Sequence, residues 1–217
     1  MSTNKTKVVY VTSNQHKIEE NRIFAQHCSL EDGIPIADCF EFEFRKVLIP
    51  EILEVDLTVM VQAEVTKAYS QVRVPCIVEH GGLIFGEYKD RSYPGGLTKP
   101  MWNTLGDQFI QETNSSGRRA VARAVVAYCD GKGVYTFVGE TEGRLADKPR
   151  GKREFYWDTV FIPDLISEDI KDKTYSEIVD NPRYGLEYKV KELSQSSRAM
   201  LKFLEFLRNN PKSGLWR

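Results

Sequence analysis

The sequence predicts an α/β protein built on a mixed sheet, and three observations carry that reading. An apolar strand, Val8–Val11, runs through a polar turn into a helical stretch, so strand and helix alternate early. Apolar runs at 120–129 and 134–138 flank Asp130-Gly131-Lys132-Gly133, the signature of a hairpin, and 139–145 continues the sheet. With 217 residues, 41% hydrophobic and 28% charged, the chain can bury the core of one domain or of one domain with two lobes.

The elements follow in order. A helix is expected from about Lys17 to Gln26, with Ile18, Ile23 and Phe24 apolar. Asp38–Lys46 alternates through Phe40-Glu41-Phe42-Glu43-Phe44, as a half-buried strand should. Leu57–Val72 places Val61, Val65 and Ala68 on one helical face. Pro75–His80 reads as a short strand, with proline at its tolerated first position, ending in Gly81-Gly82. Tyr93-Pro94-Gly95-Gly96 is a turn before a helix around Trp102–Gln111. Asn114–Gly117 is a surface loop, and a charged connection follows Pro163. The last helix, about Ser196–Arg208, buries Met200, Phe203, Leu204 and Leu207, and 211–217 is a loose tail.

Thirty basic and 31 acidic residues give a net charge of -1, so no global field draws in a nucleic acid polymer or a membrane. Cys28, Cys39, Cys76 and Cys129 lack Cys-x-x-Cys spacing and read as reduced packing residues. No signal peptide or membrane-length apolar run is visible, which points to a soluble cytoplasmic protein.

Two segments carry candidate chemistry. Thr12-Ser13-Asn14 lies between a strand and a helix start, where unpaired N–H groups and the helix dipole suit phosphate; Lys17 adds a cation one turn in. The same residue types also cap helices for stability alone. Phe155-Tyr156-Trp157-Asp158 offers aromatic faces beside a carboxylate for stacking on and hydrogen-bonding a base, although such a cluster also suits a core. Arg150, Lys152 and Arg153 flank it. Glu51 and Glu79 are the metal candidates, since Mg²⁺ takes one or two carboxylates plus substrate phosphates. His80 is a candidate general base or a plain strand-end residue.

Further segments occur in order: Gly95-Gly96-Leu97 with Pro100 and Trp102, Gly139-Glu140-Thr141-Glu142-Gly143, Pro149-Arg150-Gly151, Phe161-Ile162-Pro163-Asp164, Thr174-Tyr175-Ser176-Glu177 and Ser194–Ala199. Together with the two above, they resemble the inosine/xanthosine triphosphate pyrophosphatase family, house-cleaning nucleotide hydrolases, over about Lys7 to Leu207. The resemblance implies a long mixed central β-sheet flanked by helices, in two lobes with a cleft between them, and commonly a homodimer. It implies hydrolysis of a nucleoside triphosphate to monophosphate and pyrophosphate with Mg²⁺, or Mn²⁺ in its place. Thr12, Ser13, Asn14 and Lys17 would then bind phosphates, and Glu51 and Glu79 the metal. Phe155, Trp157 and Asp158 would hold the base, as would Ser194, Gln195 and Ser196. Lys17, Glu79 and His80 would be the catalytic set.

The chain departs from the family pattern at defined points. Ser13 replaces a glycine, and His80 stands where the water-activating aspartate is usual. Glu64 occupies the place of a lysine, with Lys67 one turn away. Ser194-Gln195-Ser196 replaces Ser-His-Arg, and Val190, between Lys189 and Lys191, falls where a lysine is expected. Altered base selectivity follows from the lost His and Arg donors. A catalytically impaired nucleotide-binding protein is the alternative reading, and a structural subunit a third.

Overall fold

The computed structural model describes residues 5–113, 116–152, 156–164 and 167–210. Strand β1 (Thr6–Val11) feeds helix α1 (Gln15–His27), and a helical turn, α2 (Ile36–Cys39), leads into strand β2 (Phe40–Arg45). β1 and β2 run parallel, from Thr6 opposite Phe40 to Val11 opposite Arg45. Helix α3 (Leu57–Val72) crosses over to strand β3 (Cys76–Phe85), which pairs in parallel with β1 at Val9 and Tyr10. Helix α4 (Thr98–Leu105) precedes two long antiparallel strands, β4 (Arg119–Cys129) and β5 (Val134–Leu145), and the short strand β6 (Phe161–Pro163) closes the far edge. Helices α5 (Tyr175–Asp180) and α6 (Gly185–Tyr188), a π-helical turn (Lys189–Leu193) and helix α7 (Gln195–Asn209) complete the order. The result is one mixed six-stranded sheet, β2-β1-β3-β4-β5-β6, flanked by helices.

The two lobes share their longest strands. At one end of the sheet α3 packs Met60, Val61 and Val65 on Val78, Val125 and Ala127. On the opposite face α7 packs Met200, Phe203 and Leu204 on Ala124, Val126 and Tyr128. At the other end Leu83 and Phe85 of β3 and Ala120 and Ala122 of β4 join Phe109, Phe161 and Tyr175 in a separate cluster. Each long strand therefore has one half in each core.

Several expectations shift in detail. β3 does not stop at Gly81-Gly82, because Gly81 pairs with Ala124 and Gly82 with Arg123, and the ladder carries the strand through. Glycine is required at 82: a Cβ there would lie 2.1 Å from the carbonyl oxygen of Gly95. Gly82→Ala is expected to lower stability by about 1–3 kcal/mol through this clash, as thermal unfolding would measure. The helix expected around Trp102–Gln111 starts earlier, at Thr98, and gives way to a 3₁₀ turn over Gly106–Glu112. The connection after Pro163 holds α5 and α6, and Thr174 and Glu177 form a reciprocal capping box at the start of α5. That Thr-x-x-Glu spacing is a readable helix-start signal which charge content masked.

None of the four cysteines is disulfide-bonded. Among the described residues no helix is long and apolar enough to cross a membrane. Phe155, Arg153, the loop positions 114 and 115, and the tail 211–217 lie outside the described residues.

Candidate functional site

β1 stops at Val11 while β3 continues to Phe85, so part of β3 has no strand beside it on that edge. Other groups take up the exposed backbone. The Lys17 ammonium donates to the carbonyl oxygen of Glu79. Farther along, Thr98 Oγ1 accepts from the Leu83 N–H at 2.9 Å, and the Phe85 N–H donates to the Tyr93 carbonyl. Along this stretch Glu79, His80 and Gly81 face a cleft of about 980 Å³. Its position beyond the carboxyl ends of parallel strands is where open α/β sheets usually bind ligands.

The opening turn forms one wall. Asn14 Oδ1 accepts from the N–H groups of His16 at 3.0 Å and Lys17 at 3.3 Å, so this residue caps α1. Thr12 Oγ1 accepts from the Asn14 N–H at 3.2 Å, which tightens the turn. Thr12, Ser13, Asn14 and Lys17 all line the cleft, so the cap and the proposed phosphate seat are the same structure. The late segment forms another wall: Tyr156 and Trp157 line the same cleft, with Trp157 seated edge-on against Phe161. Gln195 and Ser196 reach it from the start of α7. Gly139 permits that approach, because a Cβ there would fall 2.0 Å from the Gln195 carbonyl oxygen.

Asp158 and Ser194 do not line the cleft directly. Ser194 caps α7 through a 3.3 Å bond from the Ser197 N–H. Asp158 is buried and accepts from Lys189 Nζ at 2.6 Å, while Glu20 of α1 accepts from the same ammonium at 3.0 Å. Lys189 itself lines the cleft, over the ring of Tyr175 at 4.9 Å. Counting back from Ser194 had pointed to Val190, which instead lies in the core. The π-helical turn supplies the reason: it takes an extra residue per turn, so Lys189 rather than Val190 faces inward before Ser194. Lys191 stays on the surface near Glu187.

The carboxylates differ in setting. Glu79 is buried and its Oε2 accepts from the Tyr10 hydroxyl at 2.6 Å. Burial, and then Glu79 itself, push the Tyr10 phenol well above its ordinary range, so it remains a donor. Glu51 pairs with Lys99 of α4 at 3.1 Å. Burial pushes Glu51 up, but the bond from Lys99 and the nearby Lys17 ammonium help outweigh it and hold the carboxyl below the usual range. Lys99, Lys189, Tyr156 and Glu64 are site residues that sequence reading did not assign. Glu64 carried a usable signal, a charge on the apolar stripe of α3, and Tyr156 and Lys189 lay in or beside segments already singled out.

Among the described residues no three His, Cys, Asp or Glu side chains converge as a self-sufficient metal site. Glu51 and Glu79 do line one cleft with hard oxygen donors, which fits an ion completing its shell with phosphates and water.

A Ham1 family model matches residues 8–206. The chain belongs to the Ham1 family. A dITP/XTP pyrophosphatase of Methanopyrus kandleri is 33% identical over 139 residues, 63% of this chain and 66% of that protein. A dITP/XTP pyrophosphatase of Thermococcus kodakarensis is 26% identical over 208 residues, 95% of this chain and all of that protein. Among solved structures, a HAM1 protein from Coxiella burnetii superposes with a TM-score of 0.64 at 17% identity, covering 93% of this chain and 99% of that one. That last likeness concerns the fold, and it agrees with the mixed, flanked sheet described above. Within this Ham1 chain, the opening turn and the Trp157 segment stand on walls of one crevice.

Proposed function

We propose that this protein is a metal-dependent nucleoside triphosphate pyrophosphatase that releases monophosphate and pyrophosphate. The observation that carries the reading is the convergence of Thr12, Ser13, Asn14, Lys17, Glu51, Glu79, His80 and Trp157 on one cleft. The names of its relatives, which act on dITP and XTP, support a triphosphate substrate with a non-standard base.

Phosphates sit against the α1 start, where the Thr12 and Ser13 hydroxyls donate and the positive end of the helix dipole favours an anion. Lys17 and Lys99 stabilise charge on the phosphate oxygens. Water attacks the α-phosphorus, and His80 is the candidate base for its proton. Mg²⁺, or Mn²⁺ in its place, when held by Glu51 and Glu79, supplies positive charge to the phosphate oxygens. Trp157, where it lines the cleft, contacts the base, and Lys189 carries the influence of Asp158 to the cleft.

Gln195 and Ser196 offer neutral donors at the cleft wall, and this supports an altered base preference. Localisation in the cytoplasm and assembly as a homodimer, testable by fractionation and sedimentation, belong to the same reading. A pyrophosphate-release screen over modified purine and pyrimidine triphosphates, with Mg²⁺ and Mn²⁺, is expected to find turnover of at least one. Tight binding by calorimetry with no release from any would favour the impaired nucleotide-binding protein instead.

A further inference from the structure

The buried stripe of α3 contains one residue of the wrong chemistry. Leu57, Met60, Val61, Val65 and Ala68 are apolar and buried, and Glu64 sits among them only 4% exposed. A buried carboxylate is unfavourable unless its oxygens find donors. Glu64 Oε2 lies 2.5 Å from His80 Nε2, an ion-pair contact, while Oε1 has no hydrogen-bond partner. Stability alone would favour leucine or methionine at this position. The arrangement therefore points to a use for the pair rather than to packing.

Strand geometry makes the pairing possible. Successive side chains of β3 point to opposite faces. Glu79 accordingly reaches Tyr10 on one face, and His80 reaches α3 on the other. Both Glu64 and His80 also line the cleft.

We infer that Glu64 is the positioning residue of His80, a role that rests on the function proposed above. Its carboxylate, 2.5 Å from Nε2, favours the proton on that nitrogen, which fixes the ring and its tautomer and leaves Nδ1 as the nitrogen with a lone pair for water. In the reaction the water proton passes to Nδ1 as its oxygen bonds to the α-phosphorus. The bond from that phosphorus to the bridging oxygen breaks, and the electron pair leaves with pyrophosphate. Glu64 takes no proton; it orients the imidazole and stabilises the imidazolium that forms, as the carboxylate does in a Ser-His-Asp triad. Two departures from the family pattern, Glu64 and His80, thus meet as one pair.

The test compares wild type with Glu64→Met and Glu64→Gln by three measurements. Nitrogen-detected NMR of the histidines in the nucleotide-free protein is expected to show a single Nε2–H tautomer at His80, replaced by a mixture in Glu64→Met. The kcat for pyrophosphate release is expected to fall about 10–100-fold in Glu64→Met with KM little changed, by analogy with other supporting residues. Glu64→Gln, which retains an acceptor, is expected to fall less. The melting temperature of Glu64→Met is expected to hold or rise, since an apolar isostere removes the buried charge. An unaltered tautomer, an unaltered kcat, or a loss that follows a lowered melting temperature in both variants would overturn the inference. Absence of release by wild type would refute the proposed hydrolysis, while the NMR comparison would still decide whether Glu64 orients His80.

Discussion

Glu79→Ala is expected to lower kcat for pyrophosphate release by at least about 10²–10³-fold, the scale on which preorganised electrostatic groups act. Glu79 stands where β3 loses its strand neighbour, and its carboxylate lines the cleft together with that of Glu51. The same change removes the acceptor of the buried Tyr10 hydroxyl, which is expected to lower stability by about 1–3 kcal/mol. Glu79→Gln separates the two effects. Its amide oxygen still accepts from Tyr10, so the melting temperature should stay near wild type while turnover is lost. Steady-state pyrophosphate release beside thermal unfolding checks both. A Glu79→Gln variant with wild-type kcat would exclude the carboxylate from the chemistry.

Lys189→Met is expected to show the largest stability loss. Lys189 is 2% exposed and ion-pairs with both Glu20 and Asp158, themselves buried, and it lies over Tyr175. Removing one partner of a buried ionic cluster leaves uncompensated charge and costs about 3–5 kcal/mol. For a protein of this size each kcal/mol lowers the melting temperature by about 2–4 °C. Triphosphate affinity should fall as well, because the ammonium lines the cleft. Thermal unfolding and calorimetric titration measure the two effects. The triple variant with Glu20→Gln and Asp158→Asn should recover most of the stability but not the affinity.

Much of the candidate site was legible locally. The polar turn at Thr12-Ser13-Asn14 follows a buried strand and precedes a helix, and all three signals lie within a few residues of one another. The same holds for α3, whose expected limits of Leu57 and Val72 match the structure. Lys189 was not assigned because counting assumes a constant helical period, and the π-helical turn breaks it. Lys99 and Glu51 meet across 48 residues through the placement of α4, which no local pattern specifies.

By itself the sequence determined the alternation of strands and helices, the apolar faces of α3 and α7, and the polar turn that both caps α1 and suits phosphate. These follow from side-chain periods of two and 3.6 and from backbone groups left unpaired at a helix start, all properties of neighbouring residues. Only the tertiary structure decided that Glu64 meets His80, that Lys189 displaces Val190, and that the crevice opens where β1 ends beside β3. Those outcomes depend on strand register, an added residue in one helical turn and unequal strand lengths. Each is fixed by packing between segments far apart in the chain.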